Sequence, residues 1–172
     1  MGWSFKVHGG IALALSAGAV LLAVLAWVPR TTMLLAGVEW LAVAVLTAPV
    51  ALAAGVRAFL TGADKKMTWR AFWCLPGALQ LVLGALAASS FLLMFLGMSG
   101  DSRQQTEPIK DGRYYVFDMT TSHRRVIEVS RSDYETVLRK EQRLMFGGAA
   151  LAFAVSAFGV FTAGEVRRAD AA

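Results

Sequence analysis

One ionisable side chain, Glu39, sits well inside a long apolar stretch of this 172-residue sequence. With the stretch starting at Met33, Glu39 lies about two turns in, roughly 10 Å at the α-helical rise. An ionisable group at that depth is costly, and it marks ion binding, proton relay or a specific contact between helices. Ser89 and Ser90 reach nearly the same depth if the following apolar stretch runs antiparallel. A hydrogen-bond partner for a neutral carboxyl group is then at hand. Glu39, Ser89 and Ser90 therefore form the candidate intramembrane polar site, with a structural role favoured over transport. Gln80, toward the opposite side of the apolar layer, is expected to hydrogen-bond between helices.

A second group of residues lies in the only long polar segment. Tyr114, Tyr115, Phe117 and His123 form a candidate contact surface there, although at least half of the three aromatic residues are expected to cover the helix that follows. His123 stands beside Arg124 and Arg125 in a polar turn. Histidine can switch with pH, but an exposed turn histidine is the simpler expectation. Asp118, His123 and a serine have no spacing that makes a triad, which is recognised by geometry. One cysteine, Cys74, and two distant histidines exclude an internal disulfide and disfavour a structural zinc site. There is no phosphate-binding glycine loop and no paired metalloprotease histidine motif. No catalytic, cofactor-binding or metal-binding residue is assigned, and the chain is read as a non-enzyme without a cofactor.

The elements that must position these residues follow from hydropathy. The apolar fraction is 56% and the mean hydropathy is +0.54, well above an ordinary soluble domain. Four transmembrane helices are expected, at about 11–28, 33–59, 69–98 and 144–164, each long enough to cross a bilayer. The first competes with a cleaved signal peptide, because Ala17-Gly18-Ala19 resembles a cleavage site. The apolar run continues past that site, which favours retention. Pro49 is expected to kink the second span, and Pro76-Gly77 to weaken the third near its start. The domain division is 1–98 for three spans, 99–143 for a polar module, and 144–172 for the fourth span and a basic tail.

Within the module, 99–108 reads as a linker. Tyr114–Met119 and Val126–Val129 read as the strands of a β-hairpin, which needs a packing partner to be stable. A helix follows, with Ser132 and Glu135 spaced as a capping box and Glu135 placed to pair with Arg139. Tyr134, Val137, Leu138 and Met145 share one side of it. No breaker separates this helix, expected from Asp133, from the fourth span, so one continuous helix is expected. Gly148, Ala152, Ser156, Gly159 and Ala163 make a small-residue stripe suited to close helix contact. The fold class is thus an α-helical integral membrane protein with four spans and an inserted hairpin-plus-helix module.

The net charge of +5 does not indicate nucleic acid, since most basic residues flank apolar segments. Basic residues conflict over orientation. The total count favours the module inside, whereas Lys65, Lys66 and Arg70 crowd one short loop against Arg30 in the other. Short loops count most, so both termini are placed in the cytoplasm. Alanine-rich spans suggest a bacterial inner membrane. Expected partners are the lipid bilayer and a protein, or a second copy through the small-residue stripe. The favoured function is a non-enzymatic membrane protein whose module contacts a partner. The competing function is a small oligomeric transporter or channel subunit using Glu39.

Overall fold

The computed structural model describes residues 1–28, 39–98, 104–119 and 125–171, except for the side chain of Glu39. Its helices are α1 (Trp3–Leu25), α2 (Glu39–Thr61), α3 (Lys65–Trp73), α4 (Gly77–Met98) and α5 (Arg131–Asp170). Three short strands, β1 (Gln104–Thr106), β2 (Tyr114–Asp118) and β3 (Arg125–Val129), lie between α4 and α5. Among the described residues, α1, α2, α4 and α5 are long and apolar enough to cross a membrane.

α5 is the axis of the molecule, and α1, α2, α3 and α4 all pack on it. Phe5 clusters with Val160 and Ala163, whereas Ala23 clusters with Met145 and Phe146, so α1 runs antiparallel to α5. Ala54 joins the first of these clusters and Val43 the second, which makes α2 parallel to α5. Leu83 packs with Ala157 and Phe161, and Gly97 faces Leu144, so α4 is antiparallel. The N-terminus, α3 and the end of α5 therefore gather at one end of the bundle. The sheet lies at the other.

Small residues allow the close approaches. A Cβ built on Gly147 would lie 3.2 Å from the Met94 amide nitrogen, and one on Gly9 would lie 2.7 Å from the Phe161 ring. The helix contact predicted for Gly148 is thus made by its neighbour, since nothing stands within 4 Å of a Cβ at Gly148 or Gly159. Ser156 and Ala163, by contrast, are buried by the chain's own helices. Ser16, fully buried, donates from Oγ to the Ala150 carbonyl at 2.8 Å and ties α1 to α5. Interhelical bonds of this kind contribute about 0.6 kcal/mol on average in an apolar surrounding.

The predicted third span is divided. α3 ends at Trp73, and α4 starts beyond Pro76, because proline offers no amide donor and clashes one turn back. Gln80 Nε2 donates to the Trp73 and Leu75 carbonyls at 3.2 and 2.8 Å, satisfying acceptors at the break. Its expected helix-to-helix bond is therefore a bond from α4 to the end of α3. The Asp64 side chain caps α3 by accepting from the Met67 amide. Trp69 and Trp73 are exposed on this short helix, as suits an interfacial segment. Pro49 lies inside α2, which continues through it to Thr61.

Candidate functional site at the junction of sheet and bundle

The module is a three-stranded antiparallel sheet in the order β1-β2-β3, not a two-stranded hairpin. β1 comes from the segment predicted to be a linker. Its sequence, Gln104-Gln105-Thr106, has no apolar residue to signal a strand, and its partner fixes it: Gln104 pairs with Asp118 and Thr106 with Val116. The turn predicted between β2 and β3 lies mostly in 120–124, outside the described residues, and so does His123.

Side chains alternate across the sheet. Val116, Tyr114, Ile127 and Val129 form the inner face and pack on Tyr134, Val137 and Leu138 of α5. The Tyr114 and Tyr134 rings are 5.2 Å apart. Tyr115 and Phe117 alternate with them and take the outer face, opposite Glu128 and Val126. The predicted contact surface is thereby split, with Tyr114 inside the module and Tyr115 and Phe117 on its outer face. Val126 is 54% exposed. Among the described residues β3 pairs only with β2, leaving its other edge open.

The helix start was expected at Asp133 with Ser132 as cap. In the structure α5 begins at Arg131 and Ser130 is the N-cap, its Oγ accepting from the Asp133 amide at 3.2 Å. Asp133, three residues on, takes the reciprocal place expected of Glu135, and Ser130 Oγ donates to its Oδ2 at 2.7 Å. Glu135 is consequently free to pair backward with Arg131 at 2.8 Å rather than forward with Arg139. That bond raises the Arg131 pKa above its ordinary value, with a smaller push from Tyr114. The guanidinium Nη2 of Arg139 instead donates to Thr136 Oγ1.

Two further contacts fix the module over the bundle. Glu141 on α5 receives the Thr106 amide at 2.9 Å through Oε1 and the Thr106 hydroxyl through Oε2. Tyr134 donates its hydroxyl to the Glu107 carbonyl at 3.2 Å. A cleft of about 490 Å³ opens beside these contacts, between Trp40 of α2 and the Thr106–Ile109 strip. On another face of α5 a second cleft of about 610 Å³ carries Arg139, Lys140, Arg143 and Trp27.

Of the predicted polar site, Glu39 opens α2 as described, and its side chain lies outside the described residues. Ser89 is half-buried. Ser90 is fully buried, and its Oγ donates to Leu86 one turn back at 2.6 Å. α2 and α4 both pack on α5 and touch each other only sparsely. No group of three or more histidine, cysteine, aspartate or glutamate side chains with metal-binding geometry occurs among the described residues. Sequence reasoning missed Glu141 and Ser16. Both look ordinary in sequence, and only the fold brings their partners, 35 and 134 residues away, within reach. Comparison with known protein families, characterised proteins and solved structures returns no match to this chain.

Proposed function

We propose that the chain is a non-enzymatic, multi-pass protein of the bacterial inner membrane whose module meets a protein partner outside. Both termini lie in the cytoplasm in this proposal. The observation that supports it is the unbroken α5. One helix of 40 residues holds the sheet at its start and the centre of the bundle along its remainder. Its module buries the inner sheet face and leaves Tyr115, Phe117 and Val126 on the other. Aromatic and apolar side chains on an otherwise polar module are what a protein partner covers. The apolar side chains exposed around the bundle, among them Leu41, Leu52, Phe59, Leu81 and Phe91, suit contact with lipid tails, because patches this extensive are rare on soluble monomers.

The test is co-purification in mild detergent from native membranes, comparing the wild type with Phe117→Ser/Val126→Glu. A specific protein should accompany the wild type and be lost from the variant, while thermal stability stays within about 1 kcal/mol, as for surface changes. Equal recovery of the same protein with both chains would remove the outer sheet face from the proposal.

A further inference from the structure

We infer that the open edge of β3 takes up an extended segment of the partner protein as a further strand of the sheet. The direction of the ladder is the first reason. The Glu107 amide donates to the Tyr115 carbonyl at 3.0 Å. In an antiparallel ladder the N–H and C=O of one residue point to the same side, and the side alternates along the strand. Tyr115 and Phe117 therefore address β1, whereas Tyr114, Val116 and Asp118 address β3, where they meet Val129, Ile127 and Arg125. Val126 and Glu128 stand between these and turn their N–H and C=O groups away from the sheet. Those main-chain groups lie in line at strand spacing, which another strand matches group for group.

The second reason is that the fold treats its two edges differently. On β1 the outward Thr106 amide is taken by the Glu141 carboxylate of α5, which closes that edge. Edges left to solvent are ordinarily blunted by proline, lysine, a bulge or shortness. β3, Arg125-Val126-Ile127-Glu128-Val129, has no proline and no lysine. Its residues keep one register with β2 throughout, so it has no bulge. Among the described residues nothing pairs with its outer side.

The third reason excludes a second copy as the occupant. Two β3 strands pair antiparallel about a two-fold axis normal to the sheet. The sheet lies flat on α5 through Tyr134, Val137 and Leu138, so that axis is perpendicular to α5. Such a rotation reverses α5, whereas copies inserted alike in one membrane have α5 pointing the same way. The occupant is a segment of another protein, and β3 sets its chemistry. Run antiparallel, it places a β-branched or aromatic side chain beside the exposed Val126, a basic one beside Glu128 and an acidic one beside Arg125. The Glu128 pair with Arg113, 3.5 Å and exposed on both sides, is weak enough to exchange. Strand addition presupposes, as proposed, that the module meets a protein.

The probe is the labelled peptide acetyl-Thr-Lys-Thr-Val-Glu-amide, titrated into the full chain in mild detergent with amide exchange followed along β3. In the chain alone, Val126 and Glu128 should exchange about tenfold or more faster than Ile127, whose amide lies in the ladder with β2. The peptide should bind and slow both. Methylation of its Lys and Val amides, which face β3, should lower the affinity about tenfold or more, whereas methylation of its Thr amides, which face away, should not. Val126→Pro removes an outward donor and spares the β2 ladder, so it should lose the peptide while Ile127 stays protected. Protection of Val126 and Glu128 in the chain alone, absence of peptide binding, or indifference to the position of methylation each overturns the inference. Co-purification from native membranes separates it from the outer-face reading. A protein kept by Val126→Pro but lost from Phe117→Ser/Val126→Glu would overturn strand addition and leave the outer face standing. Loss from both variants supports both, and recovery with both removes both.

Discussion

Ser16 and Gly147 show how much of this molecule turns on single side chains that sequence cannot rank. Ser16 is one of several serines in apolar surroundings, and only the antiparallel packing of α1 on α5 supplies its acceptor. Gly147 and Gly148 are adjacent and chemically identical. The rotation of α5 about its own axis decides which of them meets α4, and hydropathy does not report that rotation when the helix is surrounded. Tyr134, Val137, Leu138 and Met145 were legible because one face of the helix is polar at that point, and all four are buried. Glu39 was legible as an anomaly, though not in its purpose. In the favoured function Glu39→Gln keeps shape and most hydrogen bonding, so expression and thermal stability should be nearly unchanged. Proteoliposome flux assays of both proteins check this. Robust wild-type flux that disappears in a stable Glu39→Gln protein would transfer the function to transport.

At the scale of elements, long apolar helices and the continuity of α5 could be read directly, because nothing in 131–170 breaks a helix. Of the short elements, β2 and β3 could also be read, from their aromatic and β-branched residues and to within one residue of their bounds, whereas β1 could not. β1 carries no alternation of its own and exists through its pairing with β2, so a composition-based linker was the natural reading. The cap moved from Ser132 to Ser130 because serines at both positions have acidic residues three places on, Glu135 and Asp133, and local spacing does not choose between them. The unbroken helix has a mechanical meaning that can be tested. Leu138→Pro removes an amide donor in the middle of the rigid stretch and should cost about 3 kcal/mol or more. It also displaces a residue of the sheet's core. Limited proteolysis should cleave the variant's module faster than that of the wild type, with the bundle fragment surviving. Equal cleavage rates would show that module and bundle are not joined stiffly through α5.

For the whole molecule, the arrangement of ends is the property most open to direct measurement. The proposed orientation has reporter fusions after Lys66 and after Ala172 behaving as cytoplasmic, and one after Asp111 as extracytoplasmic. A reversed pattern at Lys66 and Asp111 would show that total basic charge outweighs the density of the 62–70 loop. The central place of α5 also bears on how such a protein is made. Ribosomes deliver α1, α2 and α4 before α5, yet each of those three packs chiefly on α5. During synthesis the early helices are therefore a set of staves without their post. The Ser16 hydroxyl has no Ala150 carbonyl to meet, and the Met94 backbone has no Gly147 beside it. Assembly has to be a late, single event, and quality control should recognise its failure. A chain ending at Met98 should insert and then be cleared several-fold faster than the full chain in a pulse-chase experiment, with co-expressed 99–172 slowing its loss. The four-helix core closes around α5, so it stays unfinished until α5 has left the ribosome.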